Sequence, residues 1–171
     1  MVKVRTVRAW LPTVFCAILI SGCGYHVAKV NRDLAGKTVE IAIFANKSYR
    51  PNIEAKVADL MVDEFVRREG GSVVESGGET VIEGTVLSYG TTAVSYTAAD
   101  TVKEYRATIT TEVIIRQRET GRVLWKGTLA ATQDFPANDD LVLQQNSEDT
   151  AIREICRKLA RDVFMHVVED F

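Results

Sequence analysis

From Tyr105 to Arg116 the side chains alternate: Tyr105, Ala107, Ile109, Thr111, Val113 and Ile115 share one parity, while Arg106, Thr108, Thr110, Glu112 and Arg116 share the other. Successive residues of a strand point to opposite faces of a sheet, so this stretch is a half-covered strand with a core face and a wet face. Such a strand needs antiparallel neighbours and a layer of helices over one side only. The neighbours are readable on both flanks. A β-rich run through Val81, Ile82, Val86, Leu87, Tyr89, Val94 and Tyr96 precedes it, with Ala98-Ala99-Asp100 as the hairpin turn. Glu119-Thr120-Gly121 then turns the chain into Val123-Leu124-Trp125 and a further strand ending near Gln133.

The covering helices show a different period. Ile53, Val57, Leu60, Met61 and Phe65 recur on one face of a 3.6-residue repeat, with Pro51 suited to a first turn and Gly70-Gly71 as a stop. A second helix starts near Ser147, where Glu148 and Asp149 favour a helix N-terminus. It keeps Ile152, Ile155, Cys156, Leu159, Val163, Phe164 and Val167 on one face. Ahead of both, Thr38 to Phe44 alternates as an opening strand ended by Asn46-Lys47-Ser48, and Val73-Val74-Glu75 is a short extended piece. The expected fold is α+β, a two-layer sandwich of two amphipathic helices on a mainly antiparallel or mixed sheet of about four strands.

The first residues describe export rather than folding. Lys3, Arg5 and Arg8 precede an uncharged run of 12 residues from Ala9 to Ile20, the layout of a signal peptide. A membrane-spanning helix needs roughly 20 apolar residues. Ile20-Ser21-Gly22-Cys23 then resembles a lipobox, in which the cysteine thiol is alkylated by a diacylglyceryl donor and becomes the lipidated first residue. The expected organisation is a cleaved signal over 1–22, a lipidated tether over 23–36 and one domain over 37–171. Removing 22 of the 171 residues leaves 149, a length for one core. Three basic residues and no acidic one leave with the signal, so the formal charge moves from −2 to −5, which offers no footprint for nucleic acid. With Cys16 removed and Cys23 lipidated, Cys156 is the remaining thiol of the mature chain, expected buried on its helix.

Catalytic and metal constellations do not assemble in the sequence. The mature chain has His26 in the tether and His166 on the last helix, no metal-ligand spacing, no phosphate loop and no nucleophile elbow. Asp139-Asp140 and Glu148-Asp149 fit loop solvation and helix capping better than acid–base work. The chain therefore reads as a non-enzyme with no cofactor or metal beyond the covalent diacylglycerol and N-acyl lipid on Cys23. Lys103, Arg106, Arg116, Arg118, Arg122 and Lys126 outnumber Glu104, Glu112 and Glu119 across the second hairpin, a bias suited to phosphorylated sugars or to a solvated strand face.

Cys23-Gly24-Tyr25-His26, the opening strand to Asn46, Glu83-Gly84, Glu104-Tyr105-Arg106 and Gly121-Arg122-Val123-Leu124-Trp125 follow one another in an order that resembles the LptE family of lipopolysaccharide-assembly lipoproteins. The resemblance implies a protein of the outer membrane, lipid-anchored on the periplasmic side. It implies a partner, the β-barrel LptD, which such a protein plugs and helps assemble, and contact with lipopolysaccharide. Arg106, Thr108, Thr110, Glu112 and Arg116 supply a polar face for a wet lumen. Family contacts to lipopolysaccharide use basic groups at the hairpin tip and before the last helix. Here those places read Thr97-Ala98-Ala99-Asp100 and Leu143-Gln144-Gln145, so Lys103 and Arg106 are the nearest substitutes, with Arg116 as a further lumen or ligand contact. Gly24, where an aspartate would hold a lipoprotein at the inner membrane, agrees with outer-membrane sorting. The opening βα unit also resembles periplasmic lipoproteins that activate peptidoglycan synthases or form secretion pores.

Overall fold

A computed structural model describes residues 38–69 and 73–169. The expected signal over 1–22, Cys23, the expected tether and the Gly70-Gly71 stop lie outside the described residues. In chain order come β1 (Val39–Ile41), β2 (Ala45–Asn46), α1 (Ile53–Glu69), β3 (Val73–Val74), β4 (Thr80–Tyr96), β5 (Val102–Gln117), β6 (Val123–Pro136) and α2 (Leu141–Glu169). The α+β class is as expected, but the sheet has six strands in the order β3-β1-β4-β5-β6, with β2 also on β4. The extra strands are the two-residue pieces β2 and β3. β1, β2 and β3 run parallel in their pairings, whereas β4, β5 and β6 form the expected antiparallel meander, so the sheet is mixed.

Both helices cover one face. Ile53, Val57, Met61 and Phe65 from α1 and the seven expected apolar positions of α2 are buried against Val39, Ile82, Val86, Tyr89, Ala107, Ile109, Val113 and Ile115 of the sheet. Phe65 meets Phe164 edge-on at 5.1 Å between ring centroids, closing the seam between the helices. Cys156 is buried among these side chains, and desolvation pushes its thiol up to about 12. Its thiolate is thus nearly absent at neutral pH, and a thiol-specific reagent at pH 8 is expected to leave Cys156 unmodified until denaturant is added. Rapid labelling of the native chain at that cysteine would contradict the packing.

Four local readings are corrected. The opening strand is not continuous: Ala42 donates to Ile82 O at 3.0 Å, and the parity flips before β2, leaving Ile43 80 % exposed and Phe44 2 % exposed. The flip is possible because Gly84 has no side chain; a Cβ there would overlap the Phe44 ring. Pro51 sits in the turn before α1, which begins at Ile53 after Asn52 in the left-handed region (φ 63°). β6 runs on to Pro136, because Phe135 pairs with Tyr105 and stacks on it at 5.7 Å. And α2 begins at Leu141, not near Ser147, because Asp140 Oδ1 accepts from the backbone N–H of Val142 at 2.8 Å and of Leu143 at 3.0 Å.

The earlier start of α2 changes the task of Glu148 and Asp149. They are inside the helix, where they tie down the β2–α1 turn instead of capping. Asn46 first shapes that turn, donating to Arg50 O at 2.8 Å and to Glu54 Oε2 at 2.7 Å. Arg50 then reaches Glu148 at 3.5 Å and Asp149 at 3.1 Å, Lys56 reaches Asp149 at 3.7 Å, and the Tyr89 hydroxyl donates to Glu148. Burial, reinforced by Glu148, raises the Tyr89 phenol well above its ordinary value, so it stays a donor at every working pH. Glu148→Leu removes the acceptor of the buried Tyr89 hydroxyl and one arm of Arg50. A loss of about 1–3 kcal/mol in urea unfolding is expected.

Candidate functional site

The side of the sheet that carries no helix among the described residues is the first candidate surface. Register places Thr85, Ser88 and Thr92 of β4 beside Glu112, Thr110 and Arg106 of β5, and these beside Thr128, Ala130 and Asp134 of β6. Small and hydroxylated side chains dominate it, as the alternation of β5 implies.

Most of its charges are matched within the fold. Arg106 grips Asp134 with two bonds, Nε at 2.6 Å and Nη2 at 2.8 Å. Arg116 pairs with Glu83 at 3.4 Å, Lys126 with Glu112 at 3.4 Å, and Arg118 with Glu40 while also donating to Gly78 O at 2.8 Å. The local excess of basic residues along the hairpin is thereby cancelled by carboxylates from other strands. Among the described residues, Lys103 and Arg122 form no ion pair. Nor do the sequence-selected residues gather in one place: Lys103 and Arg106 lie at the tip half of β5, while Arg116 is ten residues further along, roughly 33 Å at strand rise.

The Arg106 guanidinium, by hydrogen bond and charge, holds the Asp134 carboxyl below its ordinary value. A depressed carboxyl contributes its stabilisation above the unfolded-state value and loses it as pH falls through the folded-state value. A carboxyl-carbon NMR titration of Asp134 is expected to show a midpoint below that of an unpaired aspartate, rising to the ordinary range in Arg106→Ala. Both residues are exposed, so the effect on global stability is expected to be small.

The second candidate surface is the end of the molecule where the β4–β5 hairpin and the start of α2 come together. Thr97 N donates to Thr101 O at 2.8 Å across the hairpin tip, Asp100 takes a left-handed φ of 58°, and Ala137 N donates to Lys103 O at 2.9 Å, which ties the pre-helix loop to the hairpin. A cleft of about 360 Å³ opens there between the end of β6 and α2, lined by Phe135, Pro136, Leu143 and Ala151 together with Asn138, Asn146, Ser147 and Glu154. Beside it Leu141, Val142 and Leu143 are 70, 64 and 55 % exposed. Sequence reading missed this patch by assigning Leu141-Val142-Leu143 to a loop. The signal that could have found it is Asp140, a cap residue placed directly before three aliphatic residues.

His166, the described histidine on α2, stacks on Trp125 at 4.2 Å between ring centroids, a packing contact. Among the described residues no group of three metal-ligating side chains comes together, and no helix is long and apolar enough to cross a membrane.

A family model described as lipopolysaccharide-assembly, LptE, matches residues 36–167, which includes the whole sheet and nearly all of both helices. The chain belongs to the LptE family. Solved structures share the fold at low identity. A hypothetical protein from Chlamydia trachomatis superposes with a TM-score of 0.57 at 12 % identity, covering 77 % of this chain and 95 % of its own. Rare lipoprotein B from Shewanella oneidensis gives 0.53 at 11 %, covering 75 and 92 %. Lipoprotein B from Nitrosomonas europaea gives 0.51 at 12 %, covering 77 and 83 %. No curated protein matches the chain. Membership in the LptE family makes this an envelope protein of lipopolysaccharide assembly in general terms.

Proposed function

We propose that this LptE-family chain is a non-catalytic outer-membrane lipoprotein, anchored through lipid on Cys23, whose domain plugs an LptD-like β-barrel and assists its assembly. One observation carries the reading: among the described residues a long meander keeps one face free of helices, and that face is hydroxyl-rich with most of its charges paired internally. Such a surface suits a wet barrel lumen, where apolar patches would be poorly solvated and unpaired charges would bind passing ions or substrate. In this reading lipopolysaccharide meets the hairpin end, its acyl chains against Leu141 to Leu143 and its phosphates near Lys103. Arg106 and Arg116 face the lumen wall as matched pairs.

The test is photo-crosslinking in cells from a probe replacing Thr108 or Thr110 on the uncovered face. An adduct with a large outer-membrane barrel is expected. An adduct with a cell-wall synthase would favour the activator reading, and that result or an absence of adducts would sink the plug. For the ligand arm, Lys103→Glu is expected to weaken binding of the purified lipoprotein to lipopolysaccharide about tenfold, the equivalent of roughly 1.4 kcal/mol. Unchanged binding would remove Lys103 from the site.

A further inference from the structure

Among the described residues β6 is the last strand on its side of the sheet, so one of its edges has no strand neighbour there. Its parity is fixed by two contacts. Leu129 O faces β5, where Thr111 Oγ1 donates to it at 3.5 Å, and Thr132 O takes Lys158 Nζ at 2.6 Å. Odd residues therefore bond to β5, and Lys126, Thr128, Ala130, Thr132 and Asp134 turn their backbone N–H and C=O outward. Long edges in soluble proteins are normally protected by charge, proline or a bulge. From Gly127 to Gln133 this one has no charged residue, no proline and no bulge. Its guards are two side chains near one end: Lys158 on Thr132 O and Gln133 Oε1, and Gln133 Nε2 on Asp134 O at 3.0 Å.

The same stretch is complementary to itself. Folded back antiparallel about Ala130, it sets Thr128 against Thr132, Lys126 against Asp134 and, on the helix side, Leu129 against Ala131. All outward-bonding residues then meet outward-bonding residues. Moving the axis by two residues sets Lys126 or Asp134 against Ala130 instead. Across the join the Arg106–Asp134 pair of one copy meets the Lys126–Glu112 pair of the other, giving charges of alternating sign.

We propose that two copies of this chain join through their β6 edges, antiparallel and in register about Ala130, into one continuous sheet. The interface is isologous, so it closes as a dimer and leaves no edge of β6 to propagate. Lys158 is the gate: its ammonium occupies a carbonyl that the second copy needs, so pairing requires it to swing away. The dimer does not rest on the barrel reading, since it concerns the chain outside any partner.

The experiment uses the full-length lipoprotein purified in detergent. Ala130→Cys is expected to form a disulfide dimer on mild oxidation, mapped by mass spectrometry to a bond between the introduced thiols of the two copies, because Cα atoms of directly opposed antiparallel residues lie within disulfide reach. Thr92→Cys, on the same face but away from the edge, is expected to stay monomeric. Ala130→Pro removes an N–H that, by this parity, faces away from β5 and bonds no other described strand but would be used twice across the axis. It is expected to weaken the dimer about tenfold or more by analytical ultracentrifugation, with the circular dichroism of the fold unchanged. Lys158→Ala is expected to tighten it, which a merely structural lysine would not do. A sedimentation profile that stays monomeric at all concentrations, or a disulfide from the thiol of Ala130→Cys to a different polypeptide, overturns the proposal. A Thr92→Cys dimer as abundant as that of Ala130→Cys would also overturn it.

Discussion

Gly84→Val is expected to cost about 3 kcal/mol or more in urea unfolding, a large part of the ~5–15 kcal/mol that holds a domain of this size together. Gly84 lies in β4 with β5 on one side and β1 and β2 on the other, so its backbone has no direction in which to retreat. The Phe44 ring occupies the place of its side chain, and even a methyl would overlap that ring. Phe44 in turn is 2 % exposed and has the rest of the core behind it. Overpacking here must displace either a central strand or a buried aromatic ring. A companion change separates this cause from a loss of strand propensity: Phe44→Leu costs some stability alone but should make Gly84→Ala less damaging, a coupling that a double-mutant cycle measures. If Gly84→Val unfolds at the unaltered midpoint, the Phe44–Gly84 contact is not what breaks the opening strand in two.

That contact also marks how far the sequence could be read. The alternation of β5 and the repeats of α1 and α2 are set by residues within a few positions of each other, and the core follows them closely. Gly121 closes its turn with a φ of 68°, as a glycine after Glu119-Thr120 suggests. What could not be read depends on residues distant in the chain. The parity flip from Ile43 to Phe44 is permitted by a glycine 40 positions later. The apparent positive bias of the hairpin disappears because its partners come from elsewhere: Glu40 for Arg118, Glu83 for Arg116, Asp134 for Arg106. Lys103, Arg106 and Arg116 have the right chemistry for a phosphate, but only Lys103 keeps its charge unmatched among the described residues. The start of α2 escaped notice for a different reason. Its first turn buries nothing, so no apolar period announces it, and the cap at Asp140 holds it instead. The free edge of β6 exists only once the strand order is known.

Cys23→Ala is expected to abolish acyl labelling and to remove the chain from the outer-membrane fraction, with the unfolding midpoint of the domain unchanged. The proposed anchor is covalent lipid, and each buried CH₂ contributes about 0.8 kcal/mol, so two or three chains hold a protein where one is marginal. The 12-residue apolar run ahead of Cys23 falls short of the roughly 20 residues that span a bilayer, and among the described residues no helix qualifies. Stability should not follow, because among the described residues the core side chains run from Val39 onward, well past Cys23. The two readouts therefore separate placement from folding. Acyl label retained in Cys23→Ala refutes the lipidation site. Label lost with the chain still in the outer membrane would mean that the barrel alone holds the domain, and the anchor would then serve delivery rather than retention.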